Sequence, residues 1–407
     1  MQQQLVRPAT DRELANVLAD ASASRTPVEV MGAGSKRTIG RPSQAAVSLT
    51  TGSLAGISLF EPTELVISAR AGTPLTRVES ELASHGQMLA FEPVDLGPVL
   101  GIEPGHTSIG SVLATNLSGA RRVASGAVRD HALGIKAVSG AGQPFKSGGR
   151  VMKNVTGVDL TRGLSGSWGT LAVLTEVTFK VMPIPEETGT LVLLGLPDSI
   201  AVEALCAAMG TPFEVSGAIH LQEALSARLW HAGMRTAQKA VTALRLENFS
   251  RSVTYRKQRL KDALKPFGEV HELDHASSLA FWDELRQLSV LQRSDAPLWR
   301  ISTAPRSGPK VVAAIGRYMP CGAFYDWSGG LIWVEVVPAG DAGAADVRRV
   351  VATHGGHATL IRAEPAVRAV VDVFQPLEPG LSHISRGLKS IMDPAGILNP
   401  GRMYADV

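Results

Sequence analysis

Residues 104–183 read PGHTSIGSVLATNLSGARRVASGAVRDHALGIKAVSGAGQPFKSGGRVMKNVTGVDLTRGLSGSWGTLAVLTEVTFKVMP. Glycine recurs here at 105, 110, 119, 126, 134, 140, 142, 148, 149, 157, 163, 166 and 169. Short apolar or β-branched runs lie between them, at 134–139, 171–175 and 177–181, and read as strands. Glycine lets a backbone approach a ligand closely or adopt positive φ. A single glycine is a turn, but this density, with Ser, Thr and Asn hydrogen-bonding groups among the glycines, points to a chain that wraps a large, flat ligand.

The same stretch is more basic than the chain around it. Nine Lys/Arg residues face three acids, a net +6, whereas the whole 407-residue protein carries only +3. The local excess suits an anionic ligand or an acidic partner face, and a solvated rim accounts for it equally well. The overall charge is too mild for nucleic acid. Apolar content of 44% and charged content of 19% describe a globular chain with a proper core, long enough for two or three domains. The two cysteines, Cys206 and Cys321, form no CxxC pair, so the chain cannot by itself ligate an iron–sulfur cluster or a structural zinc. Such sparse cysteine use fits a reducing, cytoplasmic setting. The opening MQQQLVRPATDRE has no apolar core, so no signal peptide is expected. No apolar run approaches the about 18 residues of a membrane span, so membrane contact is expected to be peripheral at most.

Upstream, Thr10-Asp11-Arg12-Glu13 is a capping box, and Leu14, Val17, Leu18 and Ala21 follow at helical spacing, which predicts a helix over 11–23. A strand over 27–31 runs into Gly32-Ala33-Gly34-Ser35-Lys36. Successive amides in such a tight loop form a nest for phosphate oxygens. The spacing is not that of a nucleotide-triphosphate loop. It is not a Rossmann fingerprint either, since Arg37 stands where a third glycine belongs. Strands are expected at 47–49, 57–60, 65–70 and 88–91. A helix after Thr73 and Pro74 is expected to use them as N-cap and first turn. The pattern is α+β. Pro183-Ile184-Pro185 marks a domain boundary. Beyond it, strands and helices alternate to about 353, reading as an antiparallel sheet with helices on one side. A last helix is expected around 380–392, before DPAGILNPGR at 393–402.

Three pieces, GAGS at 32–35, SIGSVLATNLSG at 108–119 and GSWGTLAVLTE at 166–176, together resemble the FAD-binding domain of the p-cresol methylhydroxylase/vanillyl-alcohol oxidase flavoprotein superfamily. DPAGILNPGR is similar to the closing segment of its D-lactate dehydrogenase and glycolate oxidase branch. GRVMKNVTGVDL at 149–160, with GGHATLIRA at 355–363, is similar to the E-type subunits of glycolate oxidases. The resemblance is dense over 1–185, moderate over the last 50 residues, and carried by no motif over 187–350. It implies two α+β subdomains clasping an extended FAD, a cap domain with an antiparallel sheet, and a division at 1–185, 186–353 and 354–407, the last segment returning toward the FAD domain.

By that likeness the amides of Gly32, Ala33, Gly34, Ser35 and Lys36 hold the pyrophosphate. Pro104, Gly105, Gly110, Thr115, Asn116 and Gly119 line the isoalloxazine and ribityl side, and Gly169, Thr170 and Val173 contact the adenine end. Lys36 reads as a phosphate contact or as an exposed loop cation. Some members tether the flavin through His or Cys. The GAGS loop has neither and His106 reads as a wall residue, so the FAD is expected to be non-covalent. The related hydroxy-acid dehydrogenases carry a C-terminal His pair and a Glu-His dipeptide for a metal. Here His354 and His357 lack the later polar partners, and Glu378 stands apart from His383, so no metal site and no catalytic residue are assigned. Asn154 and Asp159 read as structural hydrogen-bonding residues. The implied partners are a second flavin subunit of the same superfamily, which would oxidise a small 2-hydroxy acid, and an iron–sulfur subunit that takes the electrons. The alternatives are a non-redox assembly subunit that stabilises its paralogue and, more weakly, a stand-alone aldonolactone-type oxidase.

Overall fold

A computed structural model describes residues 4–150, 157–338 and 340–405. The first layer is a three-stranded parallel sheet of Gln4–Val6, Val47–Thr50 and Val28–Met31, with Val47–Thr50 central. Helix Asp11–Ala23 covers it. Its start is fixed by Thr10 Oγ1 accepting from the Glu13 amide at 3.1 Å, while Glu13 reaches back to the Ala9 amide at 2.9 Å. Leu14 and Leu18 are buried against Val28, Val30 and Leu49.

The second layer is a five-stranded antiparallel sheet in the order Ile57–Glu61, Val66–Arg70, Ala172–Lys180, Ala132–Ser139, Pro144–Gly148. The runs expected at 171–175 and 177–181 merge into the single central strand Ala172–Lys180. Helix Ile109–Thr115 lies on this sheet through Ile109, Val112 and Leu113. Its first turn sits against residue 71: a Cβ on Gly110 would stand 2.8 Å from the Ala71 carbonyl oxygen. Two local expectations change. Thr73 does not cap the helix Leu75–Ser84, because its hydroxyl donates to the Arg70 carbonyl at 2.6 Å and ties the turn to Gly56; Pro74 is the cap residue. The strand expected at 88–91 shrinks to Gln87–Met88, since Glu92 takes φ 49° and turns the chain away.

Beyond Pro185 an eight-stranded antiparallel sheet runs in the order Val270–Leu273, Glu187–Leu194, Val241–Asn248, Val215–Leu221, Cys321–Asp326, Leu331–Val336, Leu298–Ser302, His357–Arg362. Leu191 and Leu193 point to one face, where they meet Leu205 of helix Asp198–Met209 and Val253 and Leu260 of helix Ser250–Leu264. The alternate positions face the first domain. On that side Trp282, from helix His275–Arg286, donates from Nε1 to Thr190 Oγ1 at 2.9 Å. Helices therefore lie on both faces, not on one. The second face must be covered where the domains meet, and Arg286 completes the seam by donating to the Pro93 carbonyl at 3.0 Å.

The sheet extends past residue 353, because His357–Arg362 pairs with Leu298–Ser302 as its edge strand. The chain then returns to the first domain through helix Pro379–Met392. Lys389 Nζ donates to the Thr170 carbonyl at 2.7 Å, and Leu398 bridges to Val28. Among the described residues no helix is long and apolar enough to cross a membrane.

Candidate functional site

Where Val28–Met31 ends, loop 32–37, helix Ile109–Thr115, residues 167–174 and Arg402 enclose a trough of about 750 Å³, open to solvent. The loop lies tight against the start of the helix: a Cβ on Gly32 would stand 2.2 Å from Ser108 Oγ. Gly34 takes φ +84°, which turns the loop over the trough. Ser108 Oγ is buried there without a hydrogen-bond partner. A buried hydroxyl left this way costs free energy unless a ligand engages it.

Lys36 is not an exposed loop cation. It is 5% exposed, and its Nζ donates to Thr107 Oγ1 at 2.9 Å, while Thr107 donates to Asp95 Oδ1 at 2.8 Å. Burial pushes the ammonium down to about 8; Asp95 pulls it back up and Arg402 adds to the depression. Arg402 donates to the Lys36 carbonyl at 2.9 Å and stacks over Trp168 at 5.5 Å. Burial pushes its guanidinium down to about 10. A buried and a partly buried cation beside a loop of amides make an anion cradle. The opposite wall is held by Asn399, whose side chain accepts from the Val30 amide at 2.8 Å and donates to the Trp168 carbonyl at 2.9 Å.

Of the residues expected to bind the cofactor, Gly32, Ala33, Gly34, Ser35, Lys36, Gly110, Thr115, Gly169 and Val173 share this trough. The others lie elsewhere. Pro104 and Gly105 are on an exposed loop, with the Gly105 amide donating to Asp95 Oδ2 at 3.0 Å. Asn116 ends its helix in the left-handed conformation and accepts from the Arg129 amide at 3.1 Å. Thr170 lies under the wall, bonded to Lys389. Gly119 lines a second cavity. His106 is exposed. Asp159 caps helix Leu160–Leu164 through the Arg162 amide at 3.0 Å, and Asn154 lies outside the described residues. Ser108, Trp168 and Arg402 were missed. The Arg of the closing NPGR was the available signal, since a fixed cation in a terminal motif has to bond to something.

The second cavity, about 350 Å³, lies between Gly119 and the eight-stranded sheet. Glu92 in its wall receives Arg245 Nη1 at 2.7 Å and Nη2 at 3.0 Å, and the Arg121 amide at 2.6 Å. Burial alone would raise this carboxyl; the two arginines outweigh it and hold it at about 2. Asp326, in the same cavity, has no such partner. Among the described residues its Oδ1 accepts only the Trp327 amide, at 2.7 Å, and burial pushes it up to about 7.

Residues 2–148 match the family described as FAD binding domain. The chain is 34% identical over 394 residues to glycolate oxidase subunit GlcE of Escherichia coli, covering 95% of each protein. It is 27% identical over 191 residues to glycolate oxidase subunit GlcD of Bacillus subtilis, 47% of this chain and 39% of that one. Crystalline p-cresol methylhydroxylase shares the fold, with a TM-score of 0.73 over 99% of this chain and 88% of the other at 15% identity. The unpartnered Ser108 hydroxyl, the Lys36 and Arg402 cations and the close-packed glycines fit an FAD in the trough. With an FAD binding domain at residues 2–148 and an α+β fold shared with p-cresol methylhydroxylase, this chain belongs to the glycolate oxidase subunit GlcE family.

Proposed function

We propose that the chain is the FAD-binding subunit of a glycolate oxidase complex. The complex oxidises glycolate to glyoxylate and passes the electrons to an iron–sulfur partner subunit. The identity with a GlcE along nearly the whole of both chains carries this reading. Flavin accepts two electrons and releases them singly, which suits a junction between an organic acid and one-electron carriers. The amides of the 32–36 loop would hold the pyrophosphate, with Lys36 and Arg402 offsetting its charge and Ser108 completing its hydrogen bonds. Among the described residues neither His nor Cys lines the trough, which supports a non-covalent cofactor. Two cysteines are too few for a cluster, so the cluster belongs to a partner. The similarity to both a GlcE and a GlcD supports a paralogous second flavin subunit.

The test is to co-purify the complex from cells expressing tagged chain, identify its subunits, and measure iron, FAD and glycolate-dependent dye reduction. The reading expects glycolate oxidation, iron in a third subunit, and FAD in this one. Turnover with FAD confined to the paralogous subunit would instead assign this chain to assembly.

A further inference from the structure

The strand register sorts the face of the cap sheet that looks toward Gly119. Asp326, Leu331, Ser302 and His357 are successive cross-strand partners, as are Phe324, Trp333, Arg300 and Thr359. The two rows adjoin on one side of the sheet. Trp327 ties that side to the first domain, donating from Nε1 to the Gly119 carbonyl at 3.0 Å. Arg122, from the first domain, stacks on the Trp327 ring at 4.1 Å, and Arg300, from the cap, lies over the same ring at 5.2 Å.

Two carboxylates at this seam, Glu92 and Glu247, are ion-paired, and Asp326 lies near Arg300. Glu92 is paired with Arg245 and Arg121, and Glu247 with Arg121. Arg122 and Arg300 donate no side-chain hydrogen bond to any described residue, and Arg300 Nε is buried without a partner. Burial pushes Arg300 down to about 10, and the neighbouring Arg122 adds to the effect. A guanidinium brings five donors to a planar acceptor, and a buried one left unmet, as Arg300 Nε is, is costly. Two guanidinium groups on one indole concentrate positive charge where an oxyanion can be received. The small cavity beside Gly119 is lined by Phe324, Asp326, Leu331 and Trp333 of the same two rows.

We propose that Arg122 and Arg300 bind the carboxylate of a small organic acid between Gly119 and the cap sheet, so that this chain itself receives the 2-hydroxy acid. The inference rests on the glycolate oxidase reading for the identity of the acid. Asp326 sits beside the site and tunes it: protonated, it adds a donor and removes a repelling charge. The other groups facing the site are His357, Arg245 and Glu92. Arg245 and Glu92 neutralise each other, and His357 is held below the ordinary range by burial first and then by Arg300, Arg122 and Arg348.

The experiment is calorimetric titration of the purified full-length chain with glycolate and with oxalate at pH 6 and pH 8, with FAD content recorded for each sample. Wild type should bind more tightly at pH 6. Arg300→Gln and Arg122→Gln should each weaken oxalate by roughly tenfold or more, the scale of a lost charge-assisted hydrogen bond, at unchanged FAD content. Arg300→Lys, which keeps the charge, should lose less and guards against a folding artefact. Asp326→Asn should remove most of the pH dependence, which distinguishes it from His357. Unaltered oxalate binding in both Arg300→Gln and Arg122→Gln, or no binding by wild type at pH 6, overturns the proposal. So does loss of FAD with acid binding intact, which would give the arginines to the cofactor. Absence of FAD from wild type would instead sink the flavin reading, while the oxalate titration still decides this one.

Discussion

Gly34 and Lys36 set the chemistry of the trough from two adjacent turns of backbone. Gly34 at φ +84° occupies a conformation that disfavours any β-branched residue by about 1–2 kcal/mol. Its Cβ position is nearly free, with only Met31 Sδ at 3.8 Å, so Gly34→Val acts by re-aiming the loop more than by a clash with protein. The variant should purify without FAD, read from its visible absorbance; full occupancy would remove the loop from the site. Lys36 gives a pH signature. In the flavin-free fold it releases its proton near 8, against an ordinary value of 10.5. Between those values the unfolded chain binds more protons, so stability of the flavin-free protein rises with pH there. A bound pyrophosphate favours the charged amine, so FAD affinity should fall as pH climbs above about 8. Lys36→Met should bind more weakly and flatten that dependence; a wild-type affinity that stays level from pH 7 to 10 would contradict it. The glycine loop was legible because amide nests need a local pattern alone. The burial of Lys36 was not, because Thr107 and Asp95, which enclose it, lie far downstream in the sequence.

The closing segment at 393–402 works as an element of the trough. Asp393 accepts from the amides of Ile397 at 3.1 Å and Leu398 at 2.8 Å and pairs with Lys389 at 2.9 Å, which shapes the turn that delivers Asn399. Asn399 then joins strand Val28–Met31 to the Trp168 turn. Asn399→Ala leaves the Val30 amide and the Trp168 carbonyl without their partner, and should cost about 1–3 kcal/mol in denaturant unfolding and reduce FAD retention. No change in either quantity would show that the segment is only an appendage. DPAGILNPGR stood out as a motif, yet its place against a strand 369 positions away is a tertiary fact with no local trace. The helices and most strands, by contrast, declared themselves through period and punctuation. The expectation of helices on one side of the sheet fails at helix His275–Arg286, since spacing shows that a helix has an apolar side and not which side of a sheet it meets.

At the scale of the molecule, two domains are joined by charge as well as by apolar contact. Glu92 and Arg121 come from the first domain and Arg245 and Glu247 from the cap, all four largely buried and mutually paired. Glu92→Gln would leave Arg245 under-compensated, and should lower stability by roughly 3 kcal/mol, read as a shifted denaturation midpoint. Glu92 is held at about 2 in the fold against an ordinary 4.5, so its contribution is complete above about 4.5 and lost as pH falls toward 2. An acid-unfolding curve of the variant lying on that of wild type would contradict this. The seam stayed hidden in the sequence because its four charges sit singly in separate segments. The trough matters only if it is filled. The decisive measurement is the amount of FAD released by denaturation of this chain, once separated from its partner subunits, per copy of the chain. One FAD, freed intact, is the expected result; a chain that carries none, in a complex that still oxidises glycolate, would contradict the account.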